Sequence, residues 1–68
     1  MSIINIKLAK PEFSKTQKEE LIADITELLH TKYNKPKQNI VIMLEDIEPY
    51  NIAFGGESVE KLRLKGKK

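Results

Sequence analysis

Apolar and polar side chains alternate over residues 2–9, with Ile4, Ile6 and Leu8 on one face and Asn5 and Lys7 on the other. A period of two predicts a strand with one covered face. Ile3 interrupts the polar face near its start, so part of that face is expected to be covered as well. The loop Lys10-Pro11-Glu12-Phe13 follows, because Pro11 has no N–H to give to a ladder. The period then changes to that of a helix. Leu21, Ile22, Ile25, Leu28, Leu29 and Tyr33 form one apolar stripe, and Lys15, Lys18, Glu19, Asp24, Glu27 and Lys32 occupy the rest. Ser14 and Gln17 have the S-x-x-Q spacing of a capping box, while Asn34 tolerates a left-handed cap and Pro36 cannot continue the helix. A helix over 15–33 results.

Residues 39–46 contain five consecutive apolar side chains, Ile40 to Leu44, rich in β-branching, which predicts a strand buried on both faces. Strand, long helix and strand make a right-handed β-α-β unit with parallel strands. One helix covers one face of a two-stranded sheet. If Ile40, Ile42 and Leu44 meet that helix, Val41 and Met43 lie on the other face, and another copy of the chain must cover them. After Asp46 the sequence becomes turn-like. Gly55-Gly56 permits a tight reversal, so a short hairpin reaching a neighbouring subunit is expected there. Ser58 to Leu64 has the pattern of a last short helix with Val59 and Leu62 inward.

Length sharpens the need for partners. The 68 residues make a single domain spanning 1–68, and a chain this short buries only about 60% of its unfolded surface. Disulfides are excluded, since there is no Cys, and His30 stands alone, so no closed zinc site is expected. Oligomerisation remains. No run of residues is long and apolar enough for a membrane span or signal peptide, so a cytoplasmic protein is expected. The net charge of +2 is too small to imply nucleic acid. Basic residues concentrate from about 61 to 68 (Lys61, Arg63, Lys65, Lys67, Lys68), without aromatic interleaving, and are read as a solvated tail.

Internal candidates for chemistry are few. Glu45, Asp46 and Glu48 resemble a carboxylate cluster, but strand alternation sends the first two to opposite faces, which argues against a metal site. His30 at the far end of the helix is expected to be exposed, and Tyr33 to join the core. No G-x-G-x-x-G or Walker loop is present.

The order of features resembles the 4-oxalocrotonate tautomerase family from residue 2 to about 63. The likeness is carried by the Ile-Asn-Ile-Lys-Leu strand, Ser14 with Gln17-Lys18, Pro36, the apolar second strand and Gly55-Gly56-Glu57. It implies a small α/β (α+β) fold, a β-α-β subunit with two parallel strands, one long helix and a C-terminal hairpin. The implied assembly is a homo-oligomer, commonly a hexamer built as a trimer of dimers, in which two units form a four-stranded sheet. The implied chemistry is cofactor-free. An N-terminal proline, freed by loss of Met, moves a proton between carbon and oxygen of an enol acid, and arginines from neighbouring chains hold the carboxylate.

Residue by residue, the resemblance puts Ser2 at the proline position, Phe13 (or Glu12, given a one-residue slip) and Val41 at the arginine positions, and Ile52 at the active-site aromatic position. All four usual side chains are missing. After Met removal the Ser2 α-amine, with a reference pKa near ~7.7–8.0, could act as a weaker base in the same place. Lys7, Lys10 or Lys37 could supply positive charge, and Tyr50, two residues before the aromatic position, could fill the pocket mouth from a neighbouring chain. Two functions stay open: a tautomerase of reduced activity acting on a small anionic enol acid, and an inactive tautomerase-fold oligomer with a binding or structural role. A different chain that completes the site in a mixed oligomer is also compatible with the sequence.

Overall fold

The computed structural model describes residues 1–66. Strand β1 (Ser2–Ala9) pairs in parallel with β2 (Ile40–Ile47), and the register runs from Ser2 beside Ile40 to Ala9 beside Ile47. Helix α1 (Lys15–Tyr33) connects them. Its start is fixed as the sequence predicts: the Ser14 hydroxyl accepts from the Gln17 N–H at 3.2 Å, and Gln17 Oε1 accepts from the Ser14 N–H at 2.9 Å. Its end is the left-handed Asn34, with φ of 57°. His30 Nδ1 bonds the Lys35 carbonyl at 2.8 Å, so this exposed histidine closes off the helix end.

Alternation along each strand puts Ile4, Ile6, Leu8, Ile40, Ile42 and Leu44 on the half-buried face, the side on which α1 packs against β2. Leu21, Ile25 and Leu29 are the half-buried apolar residues of α1. An ion pair, Lys18 Nζ to Asp46 Oδ2 at 2.5 Å, ties the first turn of the helix to the end of β2. The opposite face of the sheet is open. Ile3, Val41 and Met43 are 63%, 36% and 46% exposed, as an uncovered second face requires.

Among the described residues none is fully buried. The radius of gyration is 15.8 Å, against about 11 Å for a compact domain of this length. The surface is 5437 Å², where a folded monomer of this mass exposes about 4,400 Å². The excess, about 1,000 Å², is comparable to what one partner buries in a standard interface, ~800 Å². The protomer is therefore half a core.

Past β2, a 3-10 turn over Pro49–Asn51 leads into strand β3 (Ala53–Phe54), which pairs antiparallel with β4 (Glu57–Ser58). Gly55 and Gly56 at the reversal have φ of 58° and 87°, both in the range that a two-residue hairpin of primed type demands. Helix α2 (Val59–Gly66) follows. The Ser58 hydroxyl accepts from the Lys61 N–H, and the Val59 N–H donates to the Ile52 carbonyl at 2.7 Å, anchoring the helix to the turn before it.

Three expectations need correction. Tyr33 is 54% exposed and not core; it is the last residue of α1, next to the Asn34 cap, and its ring meets the Lys32 ammonium at 5.6 Å. Leu62 is not inward but exposed, since α2 rests on the 3-10 turn and not on the main sheet. The basic segment read as a tail from about residue 61 is helical through Gly66; Lys67 and Lys68 lie outside the described residues. Among the described residues no helix is long and apolar enough to cross a membrane.

Candidate active site

The sequence-predicted site residues fall at the two ends of the sheet. Ser2 opens β1, and Val41 lies one register step from it, beside Ile3 on the open face. Lys10 follows the other end of β1, where its N–H donates to the Ile47 carbonyl at 3.0 Å. Eight residues of strand separate Ser2 from Lys10, about 26 Å at the usual rise. The amine end and the lysine end of one protomer cannot meet on one small substrate.

The lysine end is a polar corner. Lys10 Nζ stands 2.7 Å from Glu48 Oε1, and the bond and charge of Glu48 raise the Lys10 pKa above its ordinary 10.5, so Lys10 is cationic at neutral pH. Tyr50, in the neighbouring 3-10 turn, is 60% exposed, while Ile52 is half-buried behind it. Arg63 reaches across from α2 and donates through Nη1 to the Lys10 carbonyl at 2.5 Å. Sequence reasoning passed over Arg63 because it stood in the presumed tail. Its being the chain's single guanidinium was the available signal.

Phe13 is displaced from this corner. It lines an open groove with Gln17, Glu20, Leu21 and Asp24, whose carboxylates would repel an anionic ligand. Three other carboxylates are engaged by lysines: Asp46 by Lys18, Glu48 by Lys10 and Glu57 by Lys65. Lys37, in the turn that leads into Ile40 at the Ser2 end of the sheet, pairs with Glu27 at 3.3 Å, and Lys7 lies beside Glu45 on the open face of the sheet.

The model of the family described as tautomerase enzyme matches residues 3–62. The chain belongs to the tautomerase family. It is 65% identical to a probable tautomerase of Campylobacter jejuni over 68 residues, covering 100% of both chains. Its fold is similar to the crystal structure of DmpI from Helicobacter pylori, with a TM-score of 0.79, 36% identity, and coverage of 94% of this chain and 98% of that one. It also matches a heterohexamer 4-oxalocrotonate tautomerase from Chloroflexus aurantiacus at a TM-score of 0.77 and 22% identity, over 93% of this chain and 100% of that one, a likeness of fold alone. The two parallel strands, long helix and C-terminal strand-helix region are those of a tautomerase subunit. Family and fold together support a tautomerase-like activity.

Proposed function

We propose that the protein is a cofactor-free tautomerase of modest rate that interconverts enol and keto forms of a small enol carboxylic acid in the cytoplasm, through the α-amine of Ser2 after loss of Met1. The observation that carries this is the family match across residues 3–62, which begins one residue after Ser2 in the same strand. An amine with a pKa near neutrality takes a proton from the enol oxygen or α-carbon at one site and returns it at the other, which makes it an effective shuttle.

The protein acts as a homo-oligomer, dimer-based and hexameric in its full form. Support comes from the open face at Ile3, Val41 and Met43 and from the free edge of β1. An eight-residue strand paired antiparallel with its own copy brings its first residue against the last. Ser2 of one copy then stands at the Lys10 end of the other, with Tyr50 at the pocket mouth. Ile52 and Val41 take positions around the substrate that the family resemblance assigns to them, while Phe13 stays in its own groove beside Glu20 and Asp24.

A binding or structural oligomer without turnover is the second reading. It is favoured by the absence of proline at position 2 and of arginine at positions 13 and 41. Ketonisation of phenylenolpyruvate decides between the two. The tautomerase gives a rate above buffer that rises with pH through a pKa between about 6 and 8 and is lost when the amine is acetylated. Turnover no faster than buffer, in protein whose intact mass shows Met1 removed, leaves the structural role.

A further inference from the structure

We infer that Arg63 is the anchor for the substrate's carboxylate, presented from α2 in place of the guanidinium groups absent at Phe13 and Val41; this rests on the enol-acid function above. Arg63 is the single arginine of the chain, and among the described residues no carboxylate pairs with it. What holds it is a neutral acceptor, the Lys10 carbonyl at 2.5 Å. A guanidinium has five N–H donors in a planar fork, so most remain free for a ligand. That fork matches a carboxylate with two parallel hydrogen bonds, which a lysine ammonium cannot do.

Local structure explains why the side chain arrives there. The Val59 N–H is bonded to the Ile52 carbonyl, and the Ser58 hydroxyl caps the first turn, so the start of α2 is fixed against the 3-10 turn that carries Tyr50. Arg63 is four residues after Val59, on the same helix face. It therefore extends along the tethered side toward the end of β1. The two carboxylates near Lys10 are both engaged by lysines, Glu48 by Lys10 at 2.7 Å and Asp46 by Lys18 at 2.5 Å. Lys10 cancels Glu48 and Lys18 cancels Asp46, and the positive charge left over is that of Arg63. A small monoanionic carboxylate is the ligand this charge and geometry fit.

The test uses the full-length oligomer and binding as well as turnover. Pyruvate is titrated by NMR against pyruvamide, which has the same skeleton without the charge. Pyruvate is expected to bind tighter than pyruvamide, and Arg63→Gln to weaken pyruvate by about tenfold or more while leaving pyruvamide unchanged. With phenylenolpyruvate the same change is expected to raise KM more than it lowers kcat. Arg63→Lys keeps the charge and a donor for the Lys10 carbonyl, so it serves if Arg63→Gln fails to assemble; it is expected to bind pyruvate several-fold more weakly than wild type. Pyruvate binding equal to wild type in either assembled variant overturns the anchor, as does a wild type that does not distinguish pyruvate from pyruvamide. Arg63-dependent binding without any turnover upholds the anchor and removes the catalytic function, so the two fail separately.

Discussion

Ile3 and Val41 stand side by side across the β1–β2 ladder, both on the face turned away from α1, with more than half of Ile3 in solvent. Two adjacent β-branched side chains on an open sheet are costly to leave wet, at about 25 cal/mol per Å² of apolar surface. Met43 continues the patch, beside Asn5. Replacing Met43 with Asp puts a charge where a second copy must pack. Assembly is expected to weaken by about a hundredfold or more, read by sedimentation velocity, whereas Met43→Leu assembles as wild type. A Met43→Asp protein that sediments like the parent would show that this face is not an interface.

The capping box is a smaller, local test. Ser14→Ala removes the acceptor of the Gln17 N–H and is expected to cost about 1 kcal/mol in denaturant unfolding at fixed protomer concentration. Ser14→Asp, which keeps an acceptor at the positive end of the helix, is expected to stay within a few tenths of a kcal/mol of wild type.

Lys10 gives a pH dependence of definite sign. Its pKa is raised in the folded protein by Glu48, so the stability it contributes is fully present below the ordinary lysine value of 10.5. That contribution is lost as pH rises through the higher folded value. The melting-temperature difference between wild type and Lys10→Met is therefore expected to be flat from about pH 7 to 9 and to shrink only above about pH 10.5. A difference that falls between pH 7 and 9 would mean that Lys10 is not held as a cation.

Local signals made the main body legible. Ser14, Gln17 and Asn34 act through their own backbone neighbours, so the bounds of α1 follow from residues within one turn of each end. Alternation in β1 and the continuous apolar run of β2 likewise mark their strands. Tyr33 and Leu62 depart from expectation because a stripe on a helix reports apolar character, not whether a partner lies opposite; Tyr33 ends α1 against the Lys32 ammonium, and α2 rests on a turn. Arg63 depends on a contact 53 residues away, which no periodicity reveals. Ser2 and Lys10 lie at opposite ends of one strand, so a single chain does not bring these two sequence-predicted residues together.

Restoring the missing groups one at a time separates the base from the clamp. Ser2→Pro supplies the residue that the family resemblance puts there, and proline at the first residue of a strand leaves the ladder intact. If proton transfer limits the rate, kcat for phenylenolpyruvate is expected to rise by about tenfold or more, with KM changing less. Val41→Arg adds a guanidinium one register step from Ser2, and Phe13→Arg adds one at the other arginine position. In protein that sediments as the wild-type assembly, either is expected to lower KM through charge-assisted hydrogen bonds to the carboxylate. Val41 borders the Met43 patch and Phe13 the Glu20 and Asp24 carboxylates, so assembly is measured first. An increase with Ser2→Pro alone would locate the deficit in the amine. An increase only with the arginines would locate it in substrate binding, and Arg63 would then be an incomplete replacement. Should the triple variant assemble normally and still turn over nothing above buffer, the pocket itself is not formed between copies, and the protein is a structural or binding oligomer.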